Sequence, residues 1–310
     1  MRRGISGSFV GLLFFFSAAW CASYHLTPEG TDEGDCSAAA PCATLGRVTE
    51  LLGAQDTLYV LAGADAASWL DGLFDAGELA TSRYGGLVLQ DSTERRQVRG
   101  FVRLATTWGT HLKPNFPSAA RAIPNLVDAF NAQTRISASV GAHLFIGSPG
   151  FFRSPFVYIT AATAFEMTES EIKGLGRYLR EGGFVFADNG LSAFEHSQTE
   201  AAMRHLFRAA LGRAGRLRRI PDNHPIYHCF YDFDGPPPGL DEATQSYYLE
   251  GIFLNGRLVG VFADQGYVHS WAQSFGNEPQ LRFGINAVVF ALTQPGSISP
   301  KIHFFTRHSE

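Results

Sequence analysis

From about residue 99 to 293, short apolar runs alternate with stretches whose apolar positions recur every three or four residues. Residues 99–105 have the form of a strand. From Pro117 to Gln133 the apolar positions Ala120, Ile123, Leu126, Val127 and Phe130 fall on one helical face. Pro124 lies inside that stretch, so the helix starts there or is kinked there. Residues 143–147 and 155–160 are apolar runs of the buried-strand kind. Thr168 and Glu171 make a capping box. The Thr hydroxyl takes the amide three residues on, and the Glu carboxylate reaches back. The helix it opens puts Ile172, Leu175 and Leu179 on one face and stops at Gly182-Gly183. Residues 184–187 predict another buried strand, and 199–211 a long helix. Residues 249–263 predict two strands about Asn255-Gly256, a strong hairpin signal. A last helix over 280–292 carries Leu281, Ile285, Val288, Val289 and Leu292. Strands alternating with helices predict an α/β domain over 99–295. Its sheet is mostly parallel, with helices on both faces and right-handed crossovers.

The start of the chain has another pattern. Arg2 and Arg3 precede an apolar run from Phe9 to Trp20 that contains Ser17-Ala18-Ala19. That is the form of a secretory signal, residues 1–19, and the run is short for a bilayer span. The alternative is a retained anchor. Trp20 before Cys21 argues against a lipoprotein, and Cys21 is either the mature N-terminal region or lost. No later stretch approaches the ~20 apolar residues of a membrane helix. The expectation is an exported protein, periplasmic or extracellular, with no membrane span after signal removal. In an oxidising compartment Cys36 and Cys42 favour a local disulfide over two free thiols. No second Cys or His pair accompanies them, which argues against zinc. Cys229, within Tyr227-His228-Cys229-Phe230-Tyr231, reads as a small buried hydrophobe.

Composition narrows the classes. Of 310 residues 45% are hydrophobic and 17% charged, which excludes a disordered chain. The 33 Gly and 15 Pro show no period, which excludes a fibre. With 25 Lys+Arg against 29 Asp+Glu the chain lacks the basic surface of a general nucleic-acid binder. The 26 Phe predict an aromatic interior.

Two resemblances add to this. Pro41-Cys42-Ala43-Thr44-Leu45 and Asp56-Thr57-Leu58-Tyr59-Val60 resemble the N-terminal opening of secreted right-handed parallel β-helix proteins. The solenoid repeats that should follow are missing. Residues 20–63 therefore read as a small disulfide-clipped cap-like segment, 64–98 as a linker, and 296–310 as a tail. From Arg99 to about Thr293 the chain resembles an uncharacterised bacterial family, the domain of unknown function numbered 4159. The matching stretches are Phe101-Val102-Arg103-Leu104, Pro155-Phe156-Val157-Tyr158-Ile159-Thr160 and Gly182-Gly183-Phe184-Val185-Phe186-Ala187-Asp188. They continue with Asp222-Asn223-His224-Pro225-Ile226-Tyr227-His228 and Phe283-Gly284-Ile285-Asn286. The resemblance implies a flavodoxin-like fold, similar to class I glutamine amidotransferases and ThuA-like proteins, in an envelope setting. Ala161-Ala162-Thr163 stands where members commonly carry Gly-His-Gly, so any family chemistry at that turn is not carried over.

In open α/β sheets ligands bind at the carboxyl ends of the strands. That edge gathers Thr106, Thr107, Trp108, Thr160, Asp188 and Asn189, with Tyr267 and Trp271 on a late loop. Trp108, Thr160, Asp188, Asn189, Tyr267 and Trp271 are the expected ligand contacts. The competing reading packs the two Trp into the rim and makes Asp188 a cap. No Gly-x-Cys-x-Gly turn exists, which excludes a glutaminase nucleophile. Gly190-Leu191-Ser192-Ala193-Phe194 is one residue short of a serine elbow. It offers Ser192 as nucleophile with His224 or His228 as base. His224 and His228 lie roughly 13 Å apart if the segment is extended and share a face if it is helical. A structural turn is preferred, with no metal and no cofactor. Arg204, Arg208, Arg213, Arg216, Arg218 and Arg219 read as a solvated face or a contact for an acidic partner or lipid head groups. The favoured expectation is a catalytically degenerate amidotransferase-like domain for binding or assembly at the envelope. Its partner is a small molecule, a glycan or an envelope protein. The alternative is a ThuA-like or serine-type hydrolase, or a carbohydrate-active enzyme, using the strand-end pocket with Asp188, His224 or Ser192.

Overall fold

Strand β8 (Val157–Ala161) and strand β9 (Val185–Asn189) are buried along their whole length. Continuous apolar runs of this kind need cover on both faces. Here the cover alternates with the pleat. Val157, Ile159, Val185 and Ala187 share one core with Leu175, Leu179, Met203 and Leu206. Tyr158, Phe184 and Phe186 share the other with Phe283, Ile285 and Val289. The computed structural model describes residues 22–53, 56–63, 69, 72–73, 84–90, 94–191, 196–239 and 248–307. The expected signal segment, Cys21 and Ser192 lie outside the described residues.

Strand β12 (Arg257–Ala263) joins β9 in parallel, and β11 (Glu250–Leu254) returns against it as an antiparallel hairpin. Asn255 (φ 50°) and Gly256 (φ 80°) make the turn, both in the left-handed conformation that a two-residue hairpin of this type requires. With β10 (Arg218–Arg219) the sheet reads β10-β11-β12-β9-β8. It is a mixed sheet with three parallel strands.

A second sheet holds β3 (Gly86–Gln90), β4 (Val98–Leu104) and β6 (Arg135–Val140). Strand β3 is antiparallel to β4, and β4 is parallel to β6. Gly100 permits the close crossing, since a Cβ there would stand 2.2 Å from the Leu87 carbonyl oxygen. Past Leu104 the chain reaches β8. Thr106 bridges in parallel to Tyr158, and β5 (Thr107–Trp108) pairs with β7 (Leu144–Phe145). The run 143–147 is thus not a buried strand. Only two of its residues pair, and Phe145 is 55% exposed.

The third sheet joins distant parts of the chain. Strand β1 (Ser23–Leu26), β2 (Thr57–Gly63) and β13 (Lys301–Arg307) are all parallel, with β2 in the middle. Two stretches that the sequence presents as connectors therefore carry strands. The linker 64–98 supplies β3, and the tail 296–310 supplies β13. Cys36 and Cys42 are bonded to each other. Leu26, Val48, Leu58 and Val60 share a core with Leu87, Leu89 and Phe101, so the N-terminal segment packs on the β3–β4 sheet.

The helices follow their signals. Helix α1 (Leu45–Leu51) is capped by Thr44, and α2 (Pro117–Gln133) starts at Pro117 and runs on through Pro124. Helix α3 (Glu169–Arg180) carries the complete capping box, and α4 (Gln198–Leu211) is capped by Ser197. The five-residue α5 (Tyr267–Trp271) precedes α6 (Glu278–Thr293), which is buried on almost every side. No helix among the described residues is long and apolar enough to cross a membrane.

Candidate functional site

At the carboxyl edge of the central sheet β9 ends in Asp188 and Asn189, both with no exposed surface. Asp188 stands opposite Thr160 on one side and Ala263 on the other. Its carboxylate accepts three hydrogen bonds: from the Tyr158 hydroxyl at 2.9 Å, the Tyr267 amide at 3.0 Å and the Val268 amide at 2.6 Å. The last two are the first amides of α5, which have no partner inside a helix. Gly266, left-handed at φ 61°, turns the chain so that these amides face the strand end. Burial raises the Asp188 carboxyl to about 6, while the three donors and His269 pull the other way. Asp188 thus ties α5 to β8 and β9.

The neighbouring groups are bound up in the same way. Asn189 donates to Asp264 at 2.6 Å and accepts from the Leu191 amide at 3.0 Å. Burial raises Asp264 to about 6 as well. Tyr267 and Trp271 have no exposed surface and stack at 6.1 Å. Their polar tips donate to the carbonyls of Pro237 and Gln280. Thr160 is fully buried. These residues line the interior of the fold.

His269 was not singled out by sequence reasoning, although it lies within the loop that was. Its Nδ1 meets Ser118 Oγ at 2.9 Å and its Nε2 meets the Gly190 carbonyl oxygen at 2.8 Å. It therefore spans α2, α5 and the turn after β9.

Trp108 is placed differently. It is half-buried, with the His143 ring at 5.1 Å and the Lys113 ammonium 5.8 Å from its centroid. It lines a cleft of about 460 Å³ with Phe116, Ala120, Ile123, Val140 and His143. The cleft lies at the carboxyl ends of β4 and β6, against the first half of α2. Of the six expected ligand contacts, Trp108 is the one that reaches it.

Of the expected catalytic residues that are described, His224 and His228 do not meet Asp188. His224 sits ahead of a short turn and its Nδ1 accepts from the Ile226 amide at 3.2 Å. Its ring is edge-on to Phe253 and Phe290, and burial lowers it to about 4. It shares no bond with Asp188. His228 uses both ring nitrogens, on Asp232 at 3.3 Å and on the Asp222 carbonyl oxygen at 3.0 Å. Among the described residues no three His, Cys, Asp or Glu side chains cluster as metal ligands. The Cys229 thiol is pushed up to about 12 by burial and donates to the Asn286 carbonyl oxygen. That is the environment of an inert thiol. Asn286 in turn holds the 226–231 turn through Ile226 and Tyr231. Of the arginine group, Arg204 pairs with Glu200 and Glu250, and Arg219 with Asp222.

This geometry can enclose a ring-shaped ligand against Trp108. It does not bring His224 to Asp188, and it does pair the Ser118 hydroxyl with His269, whose other ring nitrogen is held by the Gly190 carbonyl oxygen. The chain belongs to the family described as Domain of unknown function (DUF4159), whose model matches residues 101–292, more than half of its length. No curated protein matches the chain.

Proposed function

We propose that this chain is an exported binding domain of flavodoxin-like, class I glutamine amidotransferase-like architecture. It holds a glycan or another small ring ligand of the cell envelope in the Trp108 cleft and does not transform it. The observation that carries this reading is the engagement of Asp188. The carboxylate at the tip of β9 already accepts from Tyr158 and two backbone amides and has no exposed surface to offer a substrate.

The strand sequence supports the architecture. Through the Thr106–Tyr158 bridge the parallel strands run β6, β4–β5, β8, β9, β12. In order of appearance along the chain that is 2-1-3-4-5, the order of doubly wound flavodoxin-like sheets. The cleft lies beside the point where the order reverses, where such folds bind ligands. The signal-like start and the Cys36–Cys42 bond support export. The β-helix-like opening then serves as a packed cap, with β13 as its third strand.

A ligand of about one or two sugar rings suits a cleft of this size and lining. Calorimetric titration of the purified protein with envelope glycan fragments tests the proposal. Saturable binding that is lost in Trp108→Ala supports it. Binding that is unchanged in Trp108→Ala contradicts it. The hydrolase alternative uses His224 or His228 with Ser192 or Asp188; His224 packs against the Phe253 and Phe290 rings and makes no bond to Asp188, and Ser192 lies outside the described residues.

A further inference from the structure

A second cavity, of about 420 Å³, opens where α6 ends, between Val88 and Gln90 of β3 and Ile302 and His303 of β13. Leu292, Pro295 and Pro300 complete its walls, and Gln294 lines it too. Gln294 is the residue that closes α6. Its backbone is satisfied, since its amide donates to the Phe290 carbonyl at 2.9 Å and its carbonyl accepts from the Ser297 amide at 3.1 Å. Its side chain is not satisfied. Gln294 is 7% exposed, and neither Nε2 nor Oε1 has a partner among the described residues. The other polar groups nearby are committed. Gln90 donates to the Arg95 carbonyl, Ser297 to the Ala291 carbonyl and Ser299 to the Gly86 carbonyl. A buried primary amide with its donor and acceptor both unanswered is uncommon in folded proteins, because each group loses its water without replacement.

We propose that this cavity binds a flat heterocycle that presents an N–H donor beside a carbonyl or ring-nitrogen acceptor, that is, a nucleobase or a cyclic lactam. The last torsion of a Gln side chain is broad, so a ligand in the cavity is met by turning the carboxamide from its buried position. Once turned, it makes two parallel hydrogen bonds to such an edge, as Gln does with adenine. A trans amide, as in a peptide or an acetamido sugar, points its N–H and its oxygen in opposite directions and satisfies only half of the group. The proline and aliphatic walls fit the two flat faces of a ring, and the volume suits a small ligand. The site shares no residue with the Trp108 cleft and stands independently of the function proposed there.

The test titrates adenine and uracil into the full chain while following side-chain amide resonances by ¹H–¹⁵N NMR. N-acetylglucosamine is the trans-amide comparison. The Gln294 amide pair shifts and saturates with a base. Gln294→Leu weakens binding by about tenfold or more, and Gln90→Trp, which fills the cavity from β3, blocks it. If Gln294→Leu does not fold, Gln90→Trp decides. The proposal fails if neither base gives a saturable shift, if base binding survives both substitutions, or if N-acetylglucosamine binds more tightly than both bases.

Discussion

The Tyr158 hydroxyl donates to Asp188 Oδ2 at 2.9 Å, a side-chain bond between adjacent strands with neither residue exposed. The same carboxylate holds the first two amides of α5. Three donors therefore depend on one side chain. Leaving a buried donor unpaired costs about 1–3 kcal/mol. Asp188→Ala should lower unfolding stability by about 4 kcal/mol, measured by urea titration. Tyr158→Phe removes one donor only and should cost about 1 kcal/mol. A loss below that of Tyr158→Phe in Asp188→Ala would show that α5 does not rely on the carboxylate.

Acid dependence separates the buried groups. Asp188 and Asp264 are raised from 3.8 to about 6, so the folded state holds their protons more tightly than the unfolded chain. Their contribution is complete below pH 3.8 and is lost as pH rises through 6. His224 is lowered from 6.5 to about 4, so its contribution is complete above pH 6.5 and is lost as pH falls through 4. The slopes oppose each other between pH 4 and 6. His224→Gln should therefore make stability fall more steeply with rising pH across that window, by urea midpoints at pH 4.5 and 6. An unchanged slope would contradict the burial of neutral His224.

Trp108 is half-buried and donates to no described group, so its removal should leave the fold nearly intact. Trp108→Ala should change the unfolding free energy by less than about 1 kcal/mol. It should also weaken glycan binding by about tenfold or more. Equal losses of stability and affinity would instead make Trp108 a packing residue.

The Cys36–Cys42 bond closes a short loop over the core that the N-terminal segment shares with β3 and β4. Chain-entropy arguments assign such a loop about 2 kcal/mol. Reductant, or Cys36→Ser with Cys42→Ser, should lower Tm accordingly without changing ligand affinity at the distant cleft. A loss of affinity on reduction would show that the cap shapes the site.

Local rules made the elements legible. The Thr168–Glu171 box, the Asn255-Gly256 turn and the apolar runs of β8 and β9 each specify their structure within a few residues. Strands β3 and β13 were not legible. The partner of β13 is distant in sequence, with His303 opposite Tyr59, whereas β3 pairs with the next strand but is short and lies beside a polar segment, so it carries little periodicity. The site was half legible. Asp188 and Trp108 sit at strand ends as expected, but their roles depend on what packs there. Only the fold shows that the α5 amides take up Asp188 while Trp108 stays open. His269 gave no signal, because its partners Ser118 and Gly190 come from two other segments.

Binding without turnover is tested most directly by assaying wild type and Asp188→Asn side by side on ester, amide and glycoside substrates, with circular dichroism on both. The expected result is no hydrolysis above buffer by either protein and a lower Tm for Asp188→Asn. Hydrolysis by wild type that disappears in a fully folded Asp188→Asn would make Asp188 a catalytic group and contradict the binding role.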